Sequence, residues 1–212
     1  MYFRGDQRML VPVFHIARLR VDIDGKGVTS LIGLSGCPNR CKYCINFPRL
    51  KQEPHFLTPQ QIYDLVCIDE LYFKTTGGGV TFGGGEPLMF AEGIAAFSKI
   101  VRREWKINVE TSLNIPIERL KSVIDVADTF IVDIKDWNEE IYYNYTHSSG
   151  EKARSNLQYL LQQVPDKVIV RVPEIPDYNT EADVKETIKA VRALGAKTID
   201  QFTYRRKEAG WD

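Results

Sequence analysis

The pattern of apolar and polar positions alternates short apolar runs with longer segments of helical period. Val28–Ser35 reads as a strand. Pro59–Lys74 reads as a helix, with Thr58 as its N-cap and Gln61 placed to complete a capping box. Gly79–Phe82 is a short strand ending in the run Gly83-Gly84-Gly85, and Ala91–Glu104 is helical. Lys106–Thr111 is a strand, Ile117–Val126 a helix and Thr129–Lys135 a strand. Helical stretches follow in Glu139–Tyr145 and Lys152–Gln163. Lys167–Val172 is a strand, Glu181–Leu194 a helix with Gly195 just past its end, and Thr198–Tyr204 a last strand. Strands alternating with helices of this length predict βαβ units and a parallel sheet.

The length then selects among parallel folds. The chain has 212 residues, whereas a full eight-unit barrel takes about 250, roughly 31 per unit. From Val28 onward there is room for six units. A partial (β/α)6 TIM-like barrel is the expected α/β fold, over residues 1–212 as one domain; a doubly wound sheet is the alternative. Hydrophobic content is 43% and charged content 26%, as in ordinary globular chains and unlike disordered or fibrous ones. Lys plus Arg equals Asp plus Glu at 28 each, so no excess positive charge marks the chain as a nucleic-acid binder. Every long apolar stretch is broken by charge, Gly or Pro, which predicts no transmembrane span. Met9–Phe14 is too short for a signal peptide and runs into His15, Arg18 and Arg20. The expected location is the cytoplasm.

In that reducing setting the cysteines change the picture. Cys37, Cys41 and Cys44 form a Cys-x3-Cys-x2-Cys run directly after the first predicted strand. Strand C-termini are where parallel α/β proteins build their sites. Cubane iron–sulfur clusters are held by cysteine thiolates. Three thiolates hold three irons and leave a fourth open to another ligand. Cys67 lies mid-helix among Leu65, Val66 and Ile68 and reads as a buried small hydrophobe. A structural zinc site favours paired Cys-x2-Cys knuckles; no second pair exists, and His15, His55 and His147 are scattered. Later strands add polar residues among apolar ones. A period of two places Asp133 with Lys135, Asn108 with Glu110 and Ser112, and Gln201 with Thr203 and Arg205; Arg171 interrupts the apolar run Val168–Val172. Unpaired buried charge is costly. These groups therefore either pair or line a ligand-filled mouth.

The cysteine run, with an aromatic before its last cysteine, resembles the radical S-adenosylmethionine (radical SAM) superfamily. That resemblance implies a partial or full (β/α) barrel and one 4Fe-4S cluster on Cys37, Cys41 and Cys44, whose open iron takes S-adenosylmethionine. Gly84, Gly85 and Glu86, with Gly83 adjacent, resemble the superfamily's Gly-Gly-Glu-Pro motif, which implies contact with the methionyl amino group. Tyr43 is implied to contact adenine.

The narrower resemblance is to glycyl-radical-enzyme activating enzymes of the pyruvate formate-lyase activase type. It is carried by Asp24-Gly25-Lys26-Gly27, by Gly77 to Phe82, by Asp133-Ile134-Lys135, by Val170 to Asn179 and by Thr203 to Trp211. It implies that Lys135 meets the methionyl carboxylate, that Asp133 and Arg205 help hold S-adenosylmethionine, and that Arg171 supports substrate or cofactor. It also implies a monovalent cation near Glu110, Thr111 and Asp133 in some members. Where that family has Pro, Asp, His and Gly, this sequence has Lys26, Glu110, Arg205 and Asp177. The implied partners are a glycyl radical enzyme and a flavodoxin- or ferredoxin-type reductant, with no nucleic acid and no membrane. Two other readings remain open: a radical SAM enzyme acting on a small anionic molecule, as deazapurine synthases do, or on a ribosomal peptide, and a non-enzymatic metal scaffold.

Overall fold

The structure is a computed structural model that describes residues 9–204. Eight strands form one sheet in the order β3-β1-β2-β4-β5-β6-β7-β8. These are β1 (Val11–Val21), β2 (Val28–Leu34), β3 (His55–Leu57), β4 (Gly79–Gly84), β5 (Lys106–Thr111), β6 (Thr129–Asp133), β7 (Val168–Glu174) and β8 (Thr198–Thr203). From β2 through β8 every pairing is parallel and the spatial order follows the chain. A doubly wound sheet reverses its strand order at a switch point; this one never does. Right-handed crossovers that always step the same way leave all helices on one face. The other face is inner and concave, as in a TIM barrel. The six parallel strands match the expected six units, and among the described residues no pairing closes β8 onto β3. The barrel is therefore partial.

Strands β1 and β3 were not expected from the sequence. β1 is antiparallel to β2 on one side and to β3 on the other. Its alternation is blurred because its first residues are buried while its second half is exposed. Two register shifts interrupt its pairing with β2, and Leu19 adopts a positive φ of 54° at the second. β3 has only three residues, two of them exposed, so it carries no hydrophobic signature.

The helices are α1 (Phe47–Leu50), α2 (Pro59–Val66), α3 (Glu70–Thr76), α4 (Ala91–Ser98), α5 (Ile117–Lys121), α6 (Glu139–Thr146), α7 (Glu151–Gln163) and α8 (Glu181–Ala193). The expected Thr58–Gln61 capping box opens α2. The single helix expected over Pro59–Lys74 is instead broken at a 3-10 turn, Cys67–Asp69. The cause is Asp69, fully buried, which accepts from Arg18 of β1 and from Ser30 of β2 at 2.8 Å. Cys67 sits in that turn with its thiol donating to Asp64 O. The helices Ala91–Glu104 and Ile117–Val126 end early, at Ser98 and Lys121.

Odd and even strand positions divide the chemistry. Ile32, Phe82, Val109, Val132 and Val170 point at the helices and are fully buried in the main core. The alternate positions face inward and form two rungs across neighbouring strands. Glu110, Ile131 and Ile169 are in register, and so are Asp133, Arg171 and Asp200. The β1–β2 hairpin turn folds over this inner face at the N-terminal end of the strands. Asp24 O accepts from Thr81, and Ile23 O accepts from Arg171 Nη2 at 2.8 Å. Gly25 is obligatory there, because its φ is +138° and a Cβ would lie 2.4 Å from the Asn108 amide.

Candidate functional site

The cysteine loop leaves the C-terminal end of β2 and is held on both sides. On one side it is stitched to the glycine run after β4. Gly85 N donates to Leu34 O and Glu86 N to Gly36 O, each at 2.8 Å, and Asn46 Nδ2 donates to Gly84 O at 2.9 Å. On the other side it rests on the C-terminus of α6. The last carbonyls of a helix lack intrahelical donors. Here Arg40 N donates to Thr146 O at 2.7 Å and Lys42 N to Tyr145 O at 3.1 Å. Ser148 Oγ donates to Pro38 O at 2.8 Å. Asn39, buried between two neighbours, accepts from Asn114 Nδ2 at 2.8 Å and donates to the Tyr142 hydroxyl at 3.4 Å. α6 is the element that sequence reading missed as a support for this loop. Its partners are mostly backbone carbonyls, which leave no residue-type signature.

The three thiols share one environment. Burial pushes the Cys41 thiol up to about 12, against the nearby positive charge of Lys135, which works to lower it. Burial likewise raises Cys37 and Cys44, and for Cys37 the carboxylate of Glu86 adds to the effect. Among the described residues no three His, Cys, Asp or Glu side chains converge on a point that could hold a single ion. A cubane takes its thiolates one per iron, spread over three corners, and an all-thiol set from one short loop is the donor chemistry it requires.

Across the mouth, Lys135 is buried and donates to Asp133 Oδ2 and to the Tyr204 hydroxyl, both at 2.8 Å. Burial alone would lower the lysine pKa. The negative charge of Asp133, joined by Tyr204, outweighs it and holds the ammonium well above its ordinary value. Asp133 Oδ1 is buried without a hydrogen-bond partner. An orphaned buried carboxylate oxygen is costly unless a ligand completes it. Tyr43 lies edge-on to Tyr145 and Tyr178, with ring centroids at 6.1 and 5.7 Å, and its hydroxyl donates to Asp177 at 2.7 Å. Tyr145 continues this wall to Tyr204 at 6.0 Å.

Tyr204 is a further residue the sequence reading did not single out. It shares a β8 face with Asp200, the face that meets Lys135 and Arg171. The Gln201–Thr203 face, expected to line the site, is that of Ile199, which packs against the core. The cause is the strand register, which sets Arg171 opposite Asp200. Arg205 and Trp211 lie outside the described residues.

Glu86 is almost fully buried, and its carboxylate braces the end of β5. Thr111 Oγ1 donates to it at 2.6 Å, Ser112 Oγ at 2.7 Å and Ser112 N at 2.8 Å. Burial raises its pKa, and these donors partly offset the rise. The glycines beside it are bare because the protein itself packs there. A Cβ on Gly84 would meet the Phe14 ring at 2.9 Å, one on Gly83 the Glu110 carboxylate at 2.9 Å, and one on Gly85 the Gly36 carbonyl at 2.2 Å. Gly85→Ala is therefore expected to push the cysteine loop off its support. We expect a loss of about 1–3 kcal/mol in stability and less iron bound per chain after reconstitution. Gly195→Ala is the control: it has a φ of +99° but open space around it, and should leave iron content unchanged.

Arg171 is taken up by protein groups. It donates to Glu110 Oε1 and to Ile23 O, and its Nε lies 3.5 Å from Asp200. Glu110 is raised to about 6, first by burial and next by the charge of Asp133, with Arg171 working against both. Thr111, implied beside Glu110 in a cation site, turns its hydroxyl to Glu86 instead.

Comparison with known proteins agrees with this geometry. The Radical SAM superfamily profile matches residues 31–204, which include the cysteine loop, the glycine run, Lys135 and Tyr204. The (2S)-3-sulfopropanediol dehydratase activating enzyme of Klebsiella oxytoca is 35% identical over 150 residues, covering 66% of this chain and 47% of that protein. The chain thus spans about half the length of that relative. The pyruvate formate-lyase 1-activating enzyme of Escherichia coli (strain K12) is 28% identical over 168 residues, covering 76% of this chain and 67% of that protein. Among solved structures, methylornithine synthase superposes with a TM-score of 0.63 at 16% identity, over 86% of this chain and 55% of that one. SuiB of Streptococcus suis superposes with a TM-score of 0.65 at 11% identity, over 84% of this chain and 40% of that one. These two show the fold alone. No helix of the described residues is long and apolar enough to cross a membrane. With the profile spanning most of its length and the three cysteines at the end of the first parallel strand, the chain belongs to the radical SAM superfamily.

Proposed function

We propose that the chain is the S-adenosylmethionine-cleaving core of a glycyl-radical-enzyme activating enzyme. The single observation that carries this reading is the meeting of three elements at one end of the barrel. The Cys37–Cys44 loop is stitched to Gly84–Glu86, and Cys41 lies within the field of the buried Lys135 and its partner Asp133. The relatives named as activating enzymes support the partner class.

Superfamily membership implies a 4Fe-4S cluster and S-adenosylmethionine. The donor set fits both. Cys37, Cys41 and Cys44 would hold three irons, and metal uptake displaces their protons. Lys135 would bind the methionyl carboxylate through its ammonium, and the orphaned Asp133 Oδ1 offers an acceptor to a cationic group of the same ligand. Gly83, Gly84 and Gly85 would meet the ligand only through backbone polar atoms not already bonded to the cysteine loop and β2, while Glu86 fixes their position against β5. Tyr43 offers an aromatic edge for the adenine. When bound and reduced by one electron, the cluster and S-adenosylmethionine would supply the chemistry for taking one hydrogen atom from substrate, with 5'-deoxyadenosine and methionine as products. The protein's own task is to hold the reacting groups in line and exclude water. The electron would come from a flavodoxin- or ferredoxin-type donor. Among the described residues no strand pairing closes β8 onto β3, and a sheet left open there would suit entry of a polypeptide loop.

The test mixes the reduced, S-adenosylmethionine-supplied protein with a candidate glycyl radical enzyme and reads the organic radical by electron paramagnetic resonance. The expected result is one 5'-deoxyadenosine per radical, lost when the partner's target glycine is changed to alanine. Cofactor cleavage coupled instead to consumption of a small anionic molecule or a ribosomal peptide would overturn the partner assignment.

A further inference from the structure

Four charged groups crowd the inner face just below the Lys135 pair. Asp133, Arg171 and Asp200 occupy one rung, and Glu110 lies on the rung beneath. Three carboxylates in so small a volume repel one another unless positive charge lies between them. Lys135 engages Asp133 from above. Arg20 lies in the field of Glu110 as well, but its guanidinium is bonded to Asp24; the charge that touches the cluster is Arg171, whose guanidinium contacts Glu110 and Asp200 together and is tied by Ile23 O.

An inorganic monovalent cation shared by Glu110, Thr111 and Asp133 does not fit this arrangement. Thr111 gives its proton to Glu86 and accepts from Leu113 N at 2.9 Å, so its hydroxyl is engaged twice. Glu110 Oε1 already takes Arg171. A cation placed between Glu110 and Asp133 would lie against the guanidinium. The sequence explains the difference: Glu110 is one methylene longer than aspartate, and from β5 it reaches across β6 to a side chain on β7.

We propose that the Arg171 guanidinium, bonded to Glu110 and set opposite Asp133 in the sheet, supplies the positive charge of this cluster in place of a monovalent metal ion, making the site independent of such ions. The guanidinium suits the position because it is planar, always charged and able to serve several acceptors at once. A cavity of about 400 Å³, lined by Asp22, Lys26, Arg171 and Asp200 among others, reaches the guanidinium; Glu110 and Asp133 are not among its lining residues, so it touches the carboxylate cluster through Arg171 and Asp200. Removal of the guanidinium should therefore turn it into a place where a small cation binds. The inference uses the proposed function only to name the ligand that sits above.

The test melts the cofactor-free protein in potassium, sodium or tetramethylammonium chloride at equal ionic strength. Wild type is expected to melt within about 1 °C in all three, because its charge is supplied internally. Arg171→Gln is expected to melt roughly 6–15 °C lower in tetramethylammonium and to recover in part in potassium or sodium. Glu110→Gln/Arg171→Gln, which removes both charges, should melt alike in all three salts and covers the case in which the single variant does not fold. A wild type stabilised selectively by potassium or sodium would overturn the proposal, as would an Arg171→Gln protein indifferent to the salt. On the cluster-loaded protein, S-adenosylmethionine affinity should agree within twofold between potassium and tetramethylammonium; a tenfold gain in potassium would also overturn it. A protein that never cleaves S-adenosylmethionine would defeat the proposed function and leave the melting result intact.

Discussion

Cys41→Ala is expected to reduce 5'-deoxyadenosine formation to the level of a protein-free control, a loss of at least about 10³-fold given that the whole reaction depends on the cluster. The thiol lies between the loop's outer cysteines and faces the charge of Lys135. No other described residue can replace it: Cys67 is in the turn between α2 and α3, donating to Asp64 O. The substitution itself is small. Among the described residues the Cys41 side chain makes no hydrogen bond to another element, and the loop is held through Asn39, Arg40, Lys42 and Asn46. Folding should therefore survive, with the melting temperature of the iron-free protein changed by less than about 3 °C. Iron and sulfide per chain, cluster absorbance and product are the readouts. Residual cleavage with an intact cluster would remove Cys41 from the ligand set.

Lys135→Met carries the second large effect, and two losses must be separated. Methionine keeps the length of the stem but removes the charge, leaving the carboxylate of Asp133, only 20% exposed, without its partner. Removing one member of a buried pair costs about 3–5 kcal/mol. The loss of a charge-assisted hydrogen bond to a bound carboxylate costs about 1.5–3 kcal/mol, or roughly 10–100-fold in S-adenosylmethionine affinity. Asp133→Asn/Lys135→Met divides the two. It should regain most of the stability, because no unpaired charge remains, and regain none of the affinity. A double variant that binds S-adenosylmethionine as wild type does would show that the pair is structural only. The sign of the pH dependence follows from the direction of the lysine shift. Its pKa in the fold lies above its unfolded value, so the pair's stabilisation is present below about pH 10.4. It is lost only as pH rises through the higher folded value.

Both variants rest on features that the sequence displays openly. Cysteine spacing is covalent arithmetic, and Asp133-Ile134-Lys135 on a strand fixes two charges to one face by period alone. The six parallel units followed from length and alternation for the same reason. Other parts depend on which strand meets which. Nothing local says that Arg171 lies opposite Asp133 and Asp200, so its partners appear only with the sheet register. The same register selects Tyr204 over the Gln201–Thr203 face. β1 escaped because its exposed second half and its bulges blur the alternation. The break after Val66 escaped because its cause, Asp69, answers to Arg18 and Ser30, far away in sequence. The glycine run was legible as bare backbone, but the groups that require it are the Phe14 ring and the Gly36 carbonyl of the protein itself.

The central claim is that the cysteine loop, the Gly83–Glu86 strand end and the Lys135–Asp133 pair together hold a cluster and S-adenosylmethionine for reductive cleavage. The most direct measurement reconstitutes the protein anaerobically with iron and sulfide, reduces it, adds S-adenosylmethionine and quantifies 5'-deoxyadenosine. The account predicts reductant-dependent product, absent in Cys41→Ala. A protein that takes up only zinc, or a reducible cluster that leaves S-adenosylmethionine intact, would contradict it.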